Sequence, residues 1–153
     1  MTLSRRALIL SSTAVVLVLA GCGQQAAAKL AMKVYKDPEC GCCGAWVEHL
    51  KAAGFEVAVE PRVDLAQLKK ELGVPDDLTS CHTGIIAGYA IEGHVPAEDI
   101  KRFLAAKPDA KGLAVPGMPV NSPGMEMPGA PGEHYTVWQF DTAGKRTAFS
   151  VHG

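Results

Sequence analysis

The chain has 153 residues, a formal charge of −1 at pH 7 and five cysteines. This length is sufficient for one domain with a single hydrophobic core. Because binding to phosphate requires clustered lysine and arginine, and the sequence contains no basic run, its composition argues against a nucleic-acid partner.

Residues 1–21 have the pattern of a lipoprotein signal peptide. A pair of arginines precedes an apolar run over residues 7–20, and Leu19-Ala20-Gly21-Cys22 matches a bacterial lipobox. Cleavage there leaves Cys22 as a lipid-modified N-terminus and residues 22–29 as a short tether. The alternative is an uncleaved membrane anchor, for which the apolar run is short. We therefore expect a lipid-anchored periplasmic protein. The residue after Cys22 is glycine rather than aspartate, which favours the outer membrane over the inner one.

Strand-like and helix-like segments alternate over residues 30–110. Strands are predicted at Leu30–Tyr35, Phe55–Val59, Gly84–Tyr89 and Ala90–Glu92; helices are predicted after the first cysteine run, at Leu65–Leu72, and from Pro96 to before Pro108. Asp64 is a candidate N-cap of the second helix and Gly73 its stop. A cysteine motif after the first strand and this order of elements are typical of the thioredoxin arrangement. The sequence thus predicts a three-layer thioredoxin-like α/β domain over residues 30–110.

Residues 111–153 form a Met/Pro/Gly-rich extension of a different kind. Residues 111–133 show neither a helical nor a strand period, and a loop of this length in a compact domain is usually functional or disordered. The segments Tyr135–Phe140 and Arg146–Val151 flank a turn-like stretch containing Asp141 and Gly144. They predict a terminal β-hairpin.

Four cysteines carry the candidate chemistry. Cys40, Cys42 and Cys43 crowd the turn between the first strand and the first helix, and Cys81 precedes the third strand. A helix N-terminus lowers the pKa of a thiol and favours the thiolate, the form that binds metals and attacks disulfides. Because the Cys81 loop faces this motif in a thioredoxin arrangement, we expect the four sulfurs to form one set. The alternative is two structural disulfides, although the adjacent Cys42 and Cys43 make poor partners.

The predicted occupant of this set is copper. Four thiolates also suit Zn²⁺, but three ligands within four residues leave little room to wrap one ion. Sulfurs that bridge several Cu(I) ions fit the crowding better. Met118 and Met125 strengthen copper over zinc, since thioether is a good Cu(I) ligand. The alternative role of both methionines, and of Met127, is packing against the core.

Among the five histidines, His82 is the candidate ligand, because it lies beside Cys81 and can bind the metal or hydrogen-bond to a sulfur. Its alternative is a turn residue that faces solvent. We expect His49 to be solvated and His94 to cap the third helix. His134 begins the terminal hairpin, and His152 is expected to be an incidental tail residue.

Three segments together resemble the CopG-type proteins, which are small periplasmic thioredoxin-like metal-binding proteins found with copper-resistance genes. The segments are Cys40-Gly41-Cys42-Cys43-Gly44, Ser80-Cys81-His82-Thr83 and Gly112–Glu126, and the similarity extends over about Met32 to Val151. The resemblance implies a copper site built on the cysteines, a contribution from residues 111–153, and a role in copper redox chemistry or handling.

The leading hypothesis is a periplasmic copper protein of copper resistance that binds multinuclear Cu(I) through thiolates and interconverts Cu(I) and Cu(II). In that reaction Cys40, Cys42, Cys43 and Cys81 act as ligands and as an electron store. One alternative is a metal-free thiol–disulfide oxidoreductase, and another is a passive copper buffer or chaperone. The expected partners are copper ions, a periplasmic copper efflux or chaperone protein, and the membrane through the lipid. We expect a monomer.

Overall fold

The computed structural model describes residues 30–153, which form a seven-stranded mixed sheet with three α-helices. The strands are β1 (Leu30–Lys36), β2 (Phe55–Pro61), β3 (His82–Ile86), β4 (Tyr89–Glu92), β5 (Gly112–Ala114), β6 (Tyr135–Phe140) and β7 (Arg146–His152); the helices are α1 (Gly41–Ala52), α2 (Leu65–Leu72) and α3 (Ala97–Ala106), with a 3₁₀ turn at Asp76–Leu78. The predicted signal peptide, the tether and Cys22 lie outside this range. Within it, no helix has the length and apolarity needed to cross a membrane.

The strands are ordered β2-β1-β3-β4-β5-β6-β7 across the sheet. β1 is parallel to β2 and β4 is parallel to β5, whereas the other neighbouring pairs are antiparallel. Strands β1 to β4 with the three helices confirm the predicted thioredoxin-like α/β fold. The extension continues the same sheet outward from β4.

The helices cover both faces of the sheet and produce three layers. Trp46 and Leu50 of α1 and Phe103 of α3 belong to the larger buried cluster on one face. The smaller cluster, on the α2 side, contains Ala90 and Phe140 among its buried members. Successive strand residues point to opposite faces, so Ala90 and its neighbour Ile91 enter different clusters.

The predicted ends of α2 are confirmed by its capping geometry. The Asp64 carboxylate accepts a hydrogen bond from the Gln67 backbone N–H at 3.3 Å, which satisfies one of the free donors of the first turn. At the other end, Gly73 has φ of 73°, a left-handed conformation that glycine adopts without a Cβ clash.

Three local expectations, on His49, on His94 and on the start of the extension, are wrong. His49 is half-buried rather than solvated, and its Nε2 accepts the backbone N–H of Ala97 at 3.1 Å, so His49 and not His94 caps α3. Burial lowers the pKa of His49, which favours the neutral, accepting form. In addition, Gly112–Ala114 is a strand although its sequence has no period, because β4 and β6 supply hydrogen-bonding partners on both sides.

The last strand is fastened to α3 through a buried carboxylate. Asp99 accepts a hydrogen bond from the Ser150 hydroxyl at 2.7 Å, and His152 Nε2 lies 2.7 Å from the same oxygen. Burial alone would raise the pKa of Asp99, but hydrogen bonds from Ser150, Arg102 and His152 outweigh it and lower the pKa. His152 is therefore a structural residue, not an incidental one, and its ring also stacks on Tyr135.

Candidate metal centre

Three cysteines are positioned by the start of α1. Cys40 is the N-cap residue, and Cys42 and Cys43 lie in the first helical turn, where backbone N–H groups have no helical acceptor. The turn before the helix is closed by Asp37, which accepts the backbone N–H of both Glu39 and Cys40. The side chain of Cys43 is fully buried, whereas those of Cys40 and Cys42 are partly exposed.

Cys40 and Cys43 form a disulfide, and Cys42 and Cys81 are free thiols. The bonded pair is separated by three positions, the spacing of a C-x-x-C motif, which lies inside the denser C-x-C-C run. The sequence argument did not identify this pairing, and the alternative of two disulfides is wrong in this state because only one is formed among the described cysteines.

Cys81 lies in a loop held by a buried ionic network. The Glu92 carboxylate accepts the Ser80 backbone N–H at 2.6 Å and the Thr83 hydroxyl at 2.6 Å, and it forms an ion pair with Lys69 of α2 at 2.5 Å. Because Ser80 precedes Cys81, this network fixes the backbone from which the thiol projects.

The four sulfurs meet at the N-terminus of α1, as the sequence argument predicted. We refer to Cys40, Cys42, Cys43 and Cys81 as the four-cysteine cluster; their Sγ atoms all lie within 4.8 Å of one another. Cys42 Sγ is 3.4 Å from Cys40 Sγ and 3.9 Å from Cys81 Sγ, and Cys81 Sγ is 3.5 Å from Cys43 Sγ. Burial, and then the neighbouring Cys42 thiol, raise the pKa of Cys81 to about 11, so this thiol is protonated at neutral pH.

His82 is fully buried, so its alternative as a solvent-facing turn residue is wrong. Its Nδ1 lies 3.3 Å from Cys81 Sγ, and its ring packs against Trp46 with centroids 4.3 Å apart. Its Nε2 is a buried nitrogen without a hydrogen-bond partner among the described residues. Burial, with the nearby His94 and Lys69, lowers the pKa of His82 to about 3, which keeps the ring neutral and able to ligate a metal.

His94 is the site residue that the sequence argument missed. Its Nε2 lies 3.3 Å from Cys81 Sγ, and its Nδ1 donates to the Pro123 carbonyl at 2.8 Å. A carbonyl can only accept, so this bond places the proton on Nδ1 and leaves the Nε2 lone pair directed at the sulfur. Burial lowers the pKa of His94, and Cys81, His82 and His94 form a second group that can hold a metal. The β3–β4 register could have found it, since pairing Thr83 with Glu92 brings position 94 opposite position 81.

The segment between β5 and β6, residues 115–134, covers the cluster, and we call it the lid loop. Met118 Sδ lies 3.8 Å from Cys42 Sγ, and the side chain is 50% exposed. Gly124 has φ of 85°, and a Cβ there would lie 2.6 Å from the Trp46 backbone nitrogen and 3.0 Å from the Cys42 carbonyl oxygen. The lid loop therefore approaches α1 so closely that only glycine fits at this position.

The other predicted residues of the lid loop contribute differently. Met125 is half-buried, and its backbone hydrogen-bonds to Ser122 and Asn121. Its role as a metal ligand remains a prediction, as do the metal-binding roles of the four cysteines, His82 and Met118. Met127 is 52% exposed, and His134 is exposed at the start of β6.

Comparison with known proteins identifies the family. A family model described as a protein of unknown function, DUF411, matches residues 78–125, which contain Cys81, His82, His94 and Met118. The solved structure described as copper resistance protein CopG, form 1, is 45% identical, covers 81% of this chain and 98% of its own, and has a TM-score of 0.76. Form 2 of the same protein is 44% identical, covers 82% and 99%, and has a TM-score of 0.77.

The chain belongs to the CopG family. No curated protein matches it. Membership of the CopG family agrees with the donor set: four sulfurs, a thioether at 3.8 Å and two neutral imidazoles are soft and intermediate ligands, which suit copper better than hard cations such as Mg²⁺ or Ca²⁺. His82 also fits a metal, because its Nδ1 lies 3.3 Å from Cys81 Sγ and its ring is neutral.

Proposed function

We propose that this protein binds Cu(I) through Cys40, Cys42, Cys43 and Cys81 as part of bacterial copper resistance. The observation that carries the proposal is the convergence of four Sγ atoms, from the start of α1 and from the loop before β3, to within 4.8 Å of one another. The printed name of the two solved relatives, copper resistance protein, supports the choice of metal.

Bound copper is proposed to be multinuclear. Cys40, Cys42 and Cys43 arise from four consecutive residues, which leaves little room to surround one ion, whereas thiolates can bridge neighbouring Cu(I) ions. Cys81, with His82 and His94 each 3.3 Å from its sulfur, closes the opposite side of the cluster. Met118 adds a thioether on the exposed side.

The Cys40–Cys43 disulfide supplies a route for interconverting copper oxidation states. When two Cu(II) ions oxidise the two thiolates, one S–S bond forms, two electrons pass to the metal, and two Cu(I) ions result. In reverse, the disulfide accepts two electrons from two Cu(I) ions and opens to two thiolates. The cysteines thus serve as ligands and as a two-electron store.

The proposed location is the periplasm, with a lipid on Cys22 anchoring the protein to the outer membrane. The support is the lipobox at residues 19–22 behind an apolar run. The tether of residues 22–29 would hold the domain near the membrane surface, where a periplasmic copper efflux or chaperone protein can exchange metal with it. Globomycin treatment of expressing cells tests this proposal: an unprocessed precursor should accumulate, and normal processing would contradict it.

Anaerobic copper loading tests the proposed function. The reduced domain, residues 22–153, is loaded with Cu(I) and desalted, and its copper content and free thiols are then measured. We expect more than one copper per chain and all four thiols masked. Absence of copper, with a disulfide reforming in air, would refute metal binding.

A thiol–disulfide oxidoreductase is the second candidate, and the disulfide of C-x-x-C spacing at a helix N-terminus favours it. Cys81→Ser separates the two functions, because Cys81 belongs to the metal cluster but not to the disulfide. Loss of copper with retained disulfide reductase activity in this variant would favour the second candidate. A loaded protein whose copper never changes oxidation state under physiological reductants would instead indicate a passive buffer.

A further inference from the structure

Two cysteines remain available as ligands while the disulfide is closed. Cys42 and Cys81 are free thiols, and their Sγ atoms lie 3.9 Å apart although 38 residues separate them in the chain. Met118 Sδ lies 3.8 Å from Cys42 Sγ. The oxidised cluster therefore still presents a thiol pair with an adjacent thioether.

The two sulfur separations that involve Cys42 fit a three-coordinate site. With metal–sulfur bonds of about 2.3 Å, three sulfurs around one ion in a plane are about 4.0 Å apart. The measured Cys42–Cys81 and Cys42–Met118 separations, 3.9 Å and 3.8 Å, agree with two edges of such a triangle. Thiolate and thioether sulfurs are ligands that select Cu(I).

The environment also suits a single ion that enters from solvent. Met118 is half exposed, while the half-buried Cys81 contacts the buried rings of His82 and His94. The exposed thioether thus lies next to Cys42, and Cys42 lies next to the half-buried thiol of Cys81.

We propose that the oxidised protein, with the Cys40–Cys43 disulfide intact, binds one Cu(I) on Cys42, Cys81 and Met118, and that reduction of the disulfide raises the copper capacity. This inference rests on the proposed function of copper binding. Binding of the first ion replaces two S–H protons with one Cu(I) and releases two protons. Opening of the larger site consumes two electrons and two protons, which a dithiol reductant supplies as it becomes a disulfide. The number of copper ions that the protein binds therefore depends on whether the Cys40–Cys43 disulfide is closed or reduced.

The test compares copper capacity in two redox states of residues 22–153. The oxidised protein, with two titratable thiols, and the protein reduced with a phosphine are each loaded anaerobically with Cu(I) supplied as its acetonitrile complex. Copper per chain is measured after desalting, and intact mass confirms that the disulfide persists in the oxidised sample. We expect one copper in the oxidised protein and more than one in the reduced protein.

Variants locate the single ion. Met118→Leu should weaken Cu(I) binding by the oxidised protein by roughly tenfold or more in competition with a chromogenic chelator. Met127→Leu is the matched control, because Met127 is equally exposed on the same loop, and it should leave the affinity unchanged. The double variant Cys40→Ser with Cys43→Ser should still bind one copper per chain. Both methionines lie on the surface, so these two replacements test binding without disturbing the core.

Failure of the inference is distinguishable from failure of the proposed function. If the reduced protein binds copper and the oxidised protein binds none, the inference is overturned and the proposed function stands. If both states bind the same number of ions with the disulfide intact, redox grading is refuted. If neither state binds copper, both proposals fail. Equal affinities of the Met118 and Met127 variants would remove Met118 from the site.

Discussion

Neutralising Glu92 is expected to destabilise the protein by about 3–5 kcal/mol. The side chain is fully buried and holds Lys69, Ser80 and Thr83 through its two oxygens. Glu92→Gln leaves the Lys69 ammonium, whose side chain is 9% exposed, without a carboxylate. Breaking a buried ion pair on one side typically costs about 3–5 kcal/mol. That loss is a large part of the roughly 5–15 kcal/mol by which a domain is stable.

Urea unfolding of the metal-free protein at neutral pH, followed by tryptophan fluorescence, measures this loss as a lower transition midpoint. The matched control is Lys69→Met combined with Glu92→Gln. It should recover much of the stability, because no charge remains buried and the amide oxygen still accepts the Ser80 N–H. The reasoning would be refuted if Glu92→Gln lowered the free energy of unfolding by less than about 1 kcal/mol. It would also be refuted if the double variant lost as much stability as Glu92→Gln and Lys69→Met lose in sum.

Three further outcomes are expected. Copper affinity of the reduced protein should fall as the pH falls, because each thiol must lose its proton to bind metal and the pKa of Cys81 is about 11. The expected fall is up to about tenfold per pH unit for each thiol that is deprotonated on binding. A flat profile in competition titrations would argue against thiolate ligation. Gly124→Ala should lower the thermal unfolding midpoint more than Gly129→Ala. Both glycines have positive φ, but only at Gly124 would the added Cβ meet the Trp46 backbone. Equal decreases of the midpoint would contradict the close approach of the lid loop to α1. The lowered pKa of Asp99 means that its stabilising contribution is present above about pH 3.8 and lost as the pH falls through the lower folded-state value. Asp99→Asn should therefore destabilise the protein at pH 7 and progressively less as the pH falls below about 3.8, and an effect that does not change with pH would refute the linkage.

The elements that the sequence predicted are those with a local signal. Apolar spacing with the cap residue Asp64 and the stop Gly73 located α2, and the alternation in the last two segments located the β6–β7 hairpin. Cys81 was placed opposite the α1 cysteines because the thioredoxin arrangement brings the loop before β3 to that helix end. In each case the information lay within a few residues or in the order of the elements.

The features that escaped prediction depend on contacts between distant segments. Strand β5 exists because β4 and β6 pair with it, not because Gly112–Ala114 favours a strand. His94 was interpreted as a cap, but the cap of α3 comes from His49, half the domain away in sequence, and this leaves His94 free to face Cys81. The Cys40–Cys43 disulfide was not predicted because Cys42 lies between the two cysteines, so the run was interpreted as three crowded thiols rather than as a C-x-x-C pair.

Both ends of the lid loop are fixed in neighbouring strands of one sheet, since β5 ends at Ala114 and β6 begins at Tyr135. The closing of such a loop becomes only slightly less favourable as it lengthens, with about 0.6 kcal/mol for each doubling. Insertions and deletions in the mostly exposed stretch 126–133 should therefore cost the fold little, whereas residues 115–125 include Met118 and Gly124, which hold the loop against α1.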